Sequence, residues 1–151
     1  MDELKAVPPS PDRYGLIHAD LSFANVFADD AGSLHLFDFD NCERGWVEQD
    51  LATVAYDAIY TRLVTRTPAD ELPARVAGAW RSFCDGYRSV RPMRGLSATL
   101  LSDFLVLREA VIYVHYHRIL DFSTLSAAFR DGIIEMGQWV VRRRPRVWVG
   151  V

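Results

Sequence analysis

The chain has 151 residues, and half of them are hydrophobic, which is enough for the core of one domain. Its formal net charge of -3 gives no electrostatic reason to expect nucleic acid or an anionic membrane as a partner. No apolar run approaches the roughly 20 residues that span a bilayer, and the acidic, proline-rich start is unlike a signal peptide.

The first part of the chain is predicted to form a leader followed by a small β-structure. Residues 1–13 contain three prolines, which disfavour regular helix there. The segment YGLIHAD is expected to be a short strand that runs into a polar loop. The apolar runs NVFA and LHLFDF are separated by the turn-forming cluster DDAGS, so they predict a β-hairpin.

Beyond Gly45 the spacing of apolar residues changes from two to about 3.6, which predicts four helices. Asp50 is expected to cap the first helix or to lie in its first turn, and Pro68 is expected to end it. The other helices are expected from Leu72 to the RPMRG segment, from about Ser97 to Leu120, and from about Leu125 to Pro145.

Residues His18 to Asn25 have the spacing H-x-D-L-x-x-x-N, and LFDFD places Asp38 and Asp40 at the return end of the hairpin. Phosphoryl transfer explains these residue types, because the protein mainly positions groups around a highly charged transition state and supplies Mg²⁺. Asp20 is suited to orient an attacking hydroxyl and to take its proton. Asn25 and Asp38 offer hard oxygen ligands, which Mg²⁺ binds together with phosphate oxygens.

The segments HADLSFAN, LFDFD and the later QDLA resemble the aminoglycoside phosphotransferase and choline kinase family. The likeness is greatest to bacterial members of the stress-response kinase or homoserine kinase type, and it covers about Tyr14 to Tyr60. It implies a mainly α-helical, protein-kinase-like C-terminal lobe with a small β-hairpin. It also implies transfer of a phosphoryl group from Mg-ATP to the hydroxyl of a small-molecule acceptor.

The resemblance implies a role for each residue that matches the family motif. Asp20 matches the catalytic aspartate, and His18 matches a histidine that braces the catalytic loop. Asn25 and Asp38 match the residues that bind the metal and, with it, the nucleotide. Asp40 is similar to an extra acidic residue that helps to hold a second metal ion.

Further positions carry weaker expectations from the same resemblance. Asp50 matches a buried aspartate that ties the next helix to the catalytic loop, and Ala19 stands where the family commonly has glycine. The C-terminal helices are expected to help line the acceptor pocket, where Glu109 or Asp121 would meet a cationic acceptor.

Two groups of residues on the later helices favour structural roles. His115 and His117 are two positions apart, so they point to different faces of a helix and are expected at its surface or in the core. Tyr113, Tyr116 and Trp139 are expected to belong to the core.

The sequence has no counterpart of the half of a kinase that grips ATP. No glycine-rich phosphate loop precedes the catalytic motif, and the single lysine, Lys5, lies in the leader. The expected organisation is therefore a kinase-like C-terminal lobe over residues 14–151, with the N-terminal lobe absent. Residues 14–45 would form the catalytic loop and metal-binding hairpin, and residues 46–145 the helical subdomain.

Three hypotheses on function follow from these motifs. The first is the catalytic-lobe portion of an ATP-dependent phosphotransferase, completed by a separate N-terminal lobe or by self-association. The second is a truncated, non-catalytic binding module or remnant. The third is a metal-dependent hydrolase that uses His18, Asp20, Asp38 and Asp40.

The two cysteines form no C-x-x-C pair, so reduced thiols and a cytoplasmic location are expected.

Overall fold

The computed structural model describes residues 8–65, 71–93 and 97–142, in which four short strands precede four helices. The strands are β1 (Tyr14–Ile17), β2 (Val26–Ala28), β3 (Leu34–Leu36) and β4 (Glu43–Trp46). The helices are α1 (Val47–Thr65), α2 (Leu72–Val90), α3 (Ala98–Ile119) and α4 (Ala127–Val141). The expected mainly helical fold with a small β-hairpin is confirmed.

The predicted hairpin is formed by β2 and β3, which pair antiparallel with Val26 opposite Leu36. In its turn the carboxylate of Asp29 accepts the backbone N–H groups of Ala31 at 3.0 Å and Ser33 at 2.8 Å. Gly32 has a φ of 81°, a conformation that glycine adopts without steric cost. Local turn chemistry therefore fixes this hairpin.

A second sheet, which the sequence analysis did not predict, joins β1 to β4 in antiparallel pairing. Gly45 lies opposite Gly15 in this sheet and is buried against the side chain of Ile17. A Cβ atom on Gly45 would overlap Cδ1 of the buried Ile17 side chain, so a larger residue here would force that side chain to move. The sheet places the start of α1 beside the start of β1, where the backbone N–H of Val47 donates to the carbonyl of Arg13 at 2.8 Å.

The helix boundaries follow from caps and prolines. Asp50 lies in the first turn of α1, which is one of the two positions expected for it. Ser97 caps α3 by accepting a backbone hydrogen bond from Leu100 at 3.1 Å. Ser126 caps α4 in the same way. The predicted helix stops at Pro68 and Pro145 lie outside the described residues.

The main core is formed where α1, α2 and α3 meet. Ala52 and Ala55 on α1 are completely buried, and their small side chains let the neighbouring helices approach closely. Trp80 of α2 and Leu105 of α3 complete this layer, so α1 is held firmly beneath the loop that follows β1. No helix among the described residues combines the length and apolar character that crossing a membrane would require.

An apolar groove of about 660 Å³ runs between β1, β3 and α2. Leu16, Leu34 and Val90 line it and are 76%, 71% and 89% exposed. Large apolar side chains clustered at such exposure are typical of a surface that another protein element covers.

Candidate active site

The loop after β1 is fixed by α1 through the carboxylate of Asp50. Its two oxygens accept the backbone N–H groups of His18 at 2.9 Å and Ala19 at 2.8 Å. Ala19 has a φ of 63°, a left-handed conformation that costs an L-residue about 1–2 kcal/mol and that glycine would adopt freely. Burial raises the pKa of Asp50, and the two N–H donors oppose that rise. Asp50 thus ties the first turn of α1 to the loop after β1.

His18 connects this loop to the end of the hairpin. Its Nε2 atom lies 3.0 Å from the carbonyl oxygen of Phe37, so a proton on Nε2 donates to that oxygen. The ring is 6% exposed and packs on Phe39 with the ring centroids 4.7 Å apart. His18 therefore contacts protein on this side, which suits a bracing residue better than a ligand in a hydrolase metal cage.

Asp20 is held from both sides. Its Oδ1 atom accepts a hydrogen bond from Nη2 of Arg108, and its backbone carbonyl accepts Nδ2 of Asn25 at 2.9 Å. The second carboxylate oxygen, Oδ2, lies 3.5 Å from the same Nδ2, too far for a strong hydrogen bond. Because Nδ2 of Asn25 points toward Asp20, the Oδ1 atom of Asn25 points away from Asp20 and is left for another partner.

Arg108 is a site residue that the sequence analysis missed. It lies on α3 and is 88 residues from Asp20 along the chain. Its only sequence signal is its position as a charged residue directly after the apolar run FLVL. Such a residue must reach a partner across the fold, but the sequence does not say which one.

Asn25 and Asp38 lie at the same end of the hairpin. The backbone N–H of Phe37 donates to the carbonyl of Asn25 at 3.2 Å, just beyond the pair of Val26 and Leu36. Asp38 follows with a φ of 63°, and its exposed carboxylate makes no capping hydrogen bond to the 3₁₀ helix Phe39–Asn41.

The positions of Asn25 and Asp38 suit a magnesium ion whose coordination shell would be completed by phosphate oxygens. Among the described residues no three His, Cys, Asp or Glu side chains converge on one point. Mg²⁺ that is bound together with a nucleotide needs only one or two protein oxygens, and the two side chains at this end of the hairpin, Asn25 and Asp38, are the candidates for them. Asp40 is exposed and is the middle residue of the 3₁₀ helix Phe39–Asn41.

A cleft of about 600 Å³ opens beside Asp20, between the catalytic loop, α1 and α3. His115 was expected at the helix surface or in the core, and Tyr116 in the core. Both residues line this cleft. The α3 residues in its wall follow the spacing of one helical face: Arg108, Val111, Ile112, His115 and Tyr116.

The two acidic residues suggested for a cationic acceptor lie elsewhere. Glu109 is buried, with 2% exposure, and the carboxylate of Asp121 accepts hydrogen bonds from Ser123 in the turn after α3. That hydrogen bonding lowers the pKa of Asp121. The acidic groups at the cleft are instead Asp20, Glu43 and Asp57.

A short loop with a braced aspartate, a hairpin that ends at Asn25 and Asp38, and a helical cleft together form the candidate active site. The model of the phosphotransferase enzyme family matches residues 1–93. An amicoumacin kinase of Bacillus subtilis (strain 168) is 33% identical over 126 residues, which is 83% of this chain. The chain belongs to the phosphotransferase enzyme family.

The fold is also found in a solved structure. Amicoumacin kinase hAmiN, in complex with AMP-PNP, Ca²⁺ and Ami, matches with a TM-score of 0.80 at 30% identity and covers 96% of this chain. The family and the kinase-like fold expected from the sequence are therefore confirmed. The chain spans 36% of the Bacillus kinase and 42% of the solved kinase.

Proposed function

We propose that this chain is the catalytic-lobe portion of an ATP-dependent phosphotransferase that phosphorylates a hydroxyl group of a small molecule. The observation that carries the proposal is the placement of Asp20. Its carboxylate lines the cleft and accepts a hydrogen bond from Arg108, while its backbone carbonyl accepts Nδ2 of Asn25 at the end of the hairpin that also bears Asp38.

Asp20 is assigned the role of the base. Arg108 occupies Oδ1 and holds the carboxylate in one orientation, so Oδ2 is the atom that accepts the proton of an acceptor hydroxyl. The hydroxyl oxygen bonds to the terminal phosphorus of ATP, the bond from that phosphorus to the ADP oxygen breaks, and the hydroxyl proton passes to Oδ2.

Asn25 and Asp38 are assigned the divalent metal, and Asp40 a second ion. A bound Mg²⁺ would neutralise phosphate charge and orient the transferred group. The role of Asn25 rests on its amide orientation, because the hydrogen bond of Nδ2 to Asp20 leaves its oxygen for the metal. The solved amicoumacin kinase holds AMP-PNP and Ca²⁺, which supports a nucleotide and a divalent cation in the same family.

The cleft favours an acceptor that carries both a hydroxyl and a positively charged amine. Three carboxylates, those of Asp20, Glu43 and Asp57, line it together with one arginine, Arg108. Tyr116 adds aromatic surface. Amicoumacin is the first acceptor to test, since it appears in the names of both relatives.

We propose that further protein completes the grip on the nucleotide that Asn25 and Asp38 begin. The relatives are more than twice as long as this chain, and the exposed groove of Leu16, Leu34 and Val90 offers a surface for a separate N-terminal lobe or for a second copy. A cytoplasmic site of action would supply the ATP and keep both thiols reduced. The same groove favours the second candidate function, a non-catalytic binding module.

The proposal is tested by calorimetry of Mg-ATP with the purified chain. We expect saturable binding that requires Mg²⁺, is lost in Asp38→Ala and persists in Asp30→Ala, which removes an equal charge from the exposed hairpin turn. Phosphate transfer to amicoumacin should then disappear in Asp20→Asn. If wild type binds no nucleotide at millimolar concentration, the chain is not a kinase by itself and the binding-module hypothesis gains.

A further inference from the structure

Helix α1 reaches the catalytic loop at two points rather than one. Asp50 and Asp57 are seven residues apart, which is two helical turns and about 10 Å along the axis, so both carboxylates lie near one face. Asp50 accepts the amides of His18 and Ala19 at the start of the loop. Asp57 accepts the backbone N–H of Phe23 at 2.7 Å near the end of the loop.

We infer that Asp57 is a positioning residue that fixes the metal-binding end of the catalytic loop, an inference that deepens the proposed function and rests on it. Phe23 begins the 3₁₀ helix Phe23–Asn25, and the N-cap residue Ser22 makes no side-chain capping hydrogen bond. The backbone N–H of Phe23, the first residue of this 3₁₀ helix, has no partner within the helix and is satisfied by Asp57 from another element. The loop conformation therefore depends on α1 at this point.

Two hydrogen bonds connect the segment that Asp57 holds to the proposed metal ligand Asn25 and the proposed base Asp20. The N–H of Asn25 donates to the carbonyl of Ser22 at 3.0 Å, and its side chain donates to the carbonyl of Asp20 at 2.9 Å. The segment from Asp20 to Asn25 thus closes on itself as one unit. Asp57 adjoins the buried Tyr56, so this unit is tied to the rigid part of α1.

Asp20 lies between the two anchors. The anchor at Asp50 holds the residues just before it, and the anchor at Asp57 holds the third residue after it. With the anchor at Asp50 alone, the far end of the loop would be positioned only by the hairpin and by the contact of Arg108 with Asp20. Two anchors fix the separation between the proposed base and the proposed metal ligand, which is the distance that phosphoryl transfer depends on.

The first test is amide hydrogen exchange measured by NMR on the full chain. We compare Asp57→Ala and Asp57→Asn with Asp50→Ala and with Asp85→Ala, which removes an exposed carboxylate on α2. Asp57→Ala should speed exchange at Phe23 by about tenfold to a hundredfold, as expected for the loss of one charge-assisted hydrogen bond, while His18 stays protected. Asp50→Ala should do the reverse.

The Asn variant separates anchoring from charge. Asp57→Asn keeps a carbonyl oxygen that can accept from Phe23, so protection at Phe23 should largely return. Exchange at Phe23 that is equal in wild type and Asp57→Ala would overturn the inference.

The second test uses Mn²⁺ alone as a probe, titrated by electron paramagnetic resonance. Asp57→Ala should weaken Mn²⁺ binding relative to wild type, and Asp57→Asn should restore it. Faster exchange at Phe23 with unchanged Mn²⁺ affinity would reduce Asp57 to a folding contact and overturn the positioning role. If wild type binds no Mn²⁺, the proposed metal site fails, while the exchange data still decide whether Asp57 anchors the loop.

Discussion

Replacement of Asp50 is the perturbation whose effect the structure allows us to work out most fully. Asp50→Ala removes both acceptors of the His18 and Ala19 amides, and each partly buried N–H left without a partner costs about 1–3 kcal/mol. The released loop lets Ala19 leave its left-handed conformation, which returns about 1 kcal/mol. The net loss of unfolding free energy is therefore about 1–5 kcal/mol.

Asp50→Asn should cost less than Asp50→Ala. The amide keeps one acceptor oxygen but turns its NH₂ group toward the other backbone N–H, so one of the two bonds survives. Urea titration followed by tryptophan fluorescence measures both variants, because Trp80 is buried in the core next to α1. Asp85→Ala serves as the control and should change stability by at most about 0.5 kcal/mol.

Two results would refute this account of Asp50. A urea midpoint for Asp50→Ala equal to that of wild type would mean that the two hydrogen bonds contribute nothing net. An Asn variant as unstable as the Ala variant would mean that the acceptor oxygens do not carry the effect. Comparison requires equal denaturant slopes, since a changed slope signals a changed denatured state.

The same residue predicts a pH dependence with a definite sign. Burial raises the pKa of Asp50 in the folded state above the ordinary value of 3.8, so the folded state binds this proton more tightly. The stability that this adds is complete below pH 3.8 and is lost as the pH rises through the raised folded pKa. The stability advantage of wild type over Asp50→Asn should therefore be larger at acidic pH than at neutral pH, and the opposite trend would contradict it.

Three further predictions concern packing, thiols and capping. Gly45→Ala should lose about 1–3 kcal/mol of stability, because its Cβ would overlap the buried end of Ile17, and an unchanged melting temperature would contradict this. Cys42 is exposed and should react with a thiol reagent in the folded chain, while Cys84, whose pKa is raised by burial, should react only after unfolding. Ser97→Ala should cost about 1 kcal/mol in urea titration, and Ser97→Asp should restore most of it.

The features that the sequence predicted are those set by neighbouring residues. The offsets of His18, Asp20 and Asn25 lie within one loop, and the hairpin follows from the turn that contains Gly32. Helix periodicity located all four helices, because a buried face repeats every 3.6 residues wherever the partner lies. The cap at Ser97 agrees with the predicted start of the third helix.

The strand β4 shows where such prediction fails. Its sequence, ERGW, has no alternation of apolar and polar residues, and it becomes a strand only because β1 lies beside it and Gly45 admits Ile17. The pairing of β1 with β4 depends on how the intervening hairpin of β2 and β3 folds back. No pattern within either strand predicts this pairing.

The sequence by itself determined the family, the helical fold with its hairpin, and the identity of the proposed base and metal ligands, since these depend on residue types at short spacing. Only the tertiary structure decided that Arg108 holds Asp20, that Asp57 reaches Phe23, and that His115 belongs to the cleft. The physical reason is that side chains far apart in the chain meet where packed helices cross. The buried core of α1, α2 and α3 sets that crossing, and no short segment carries it alone.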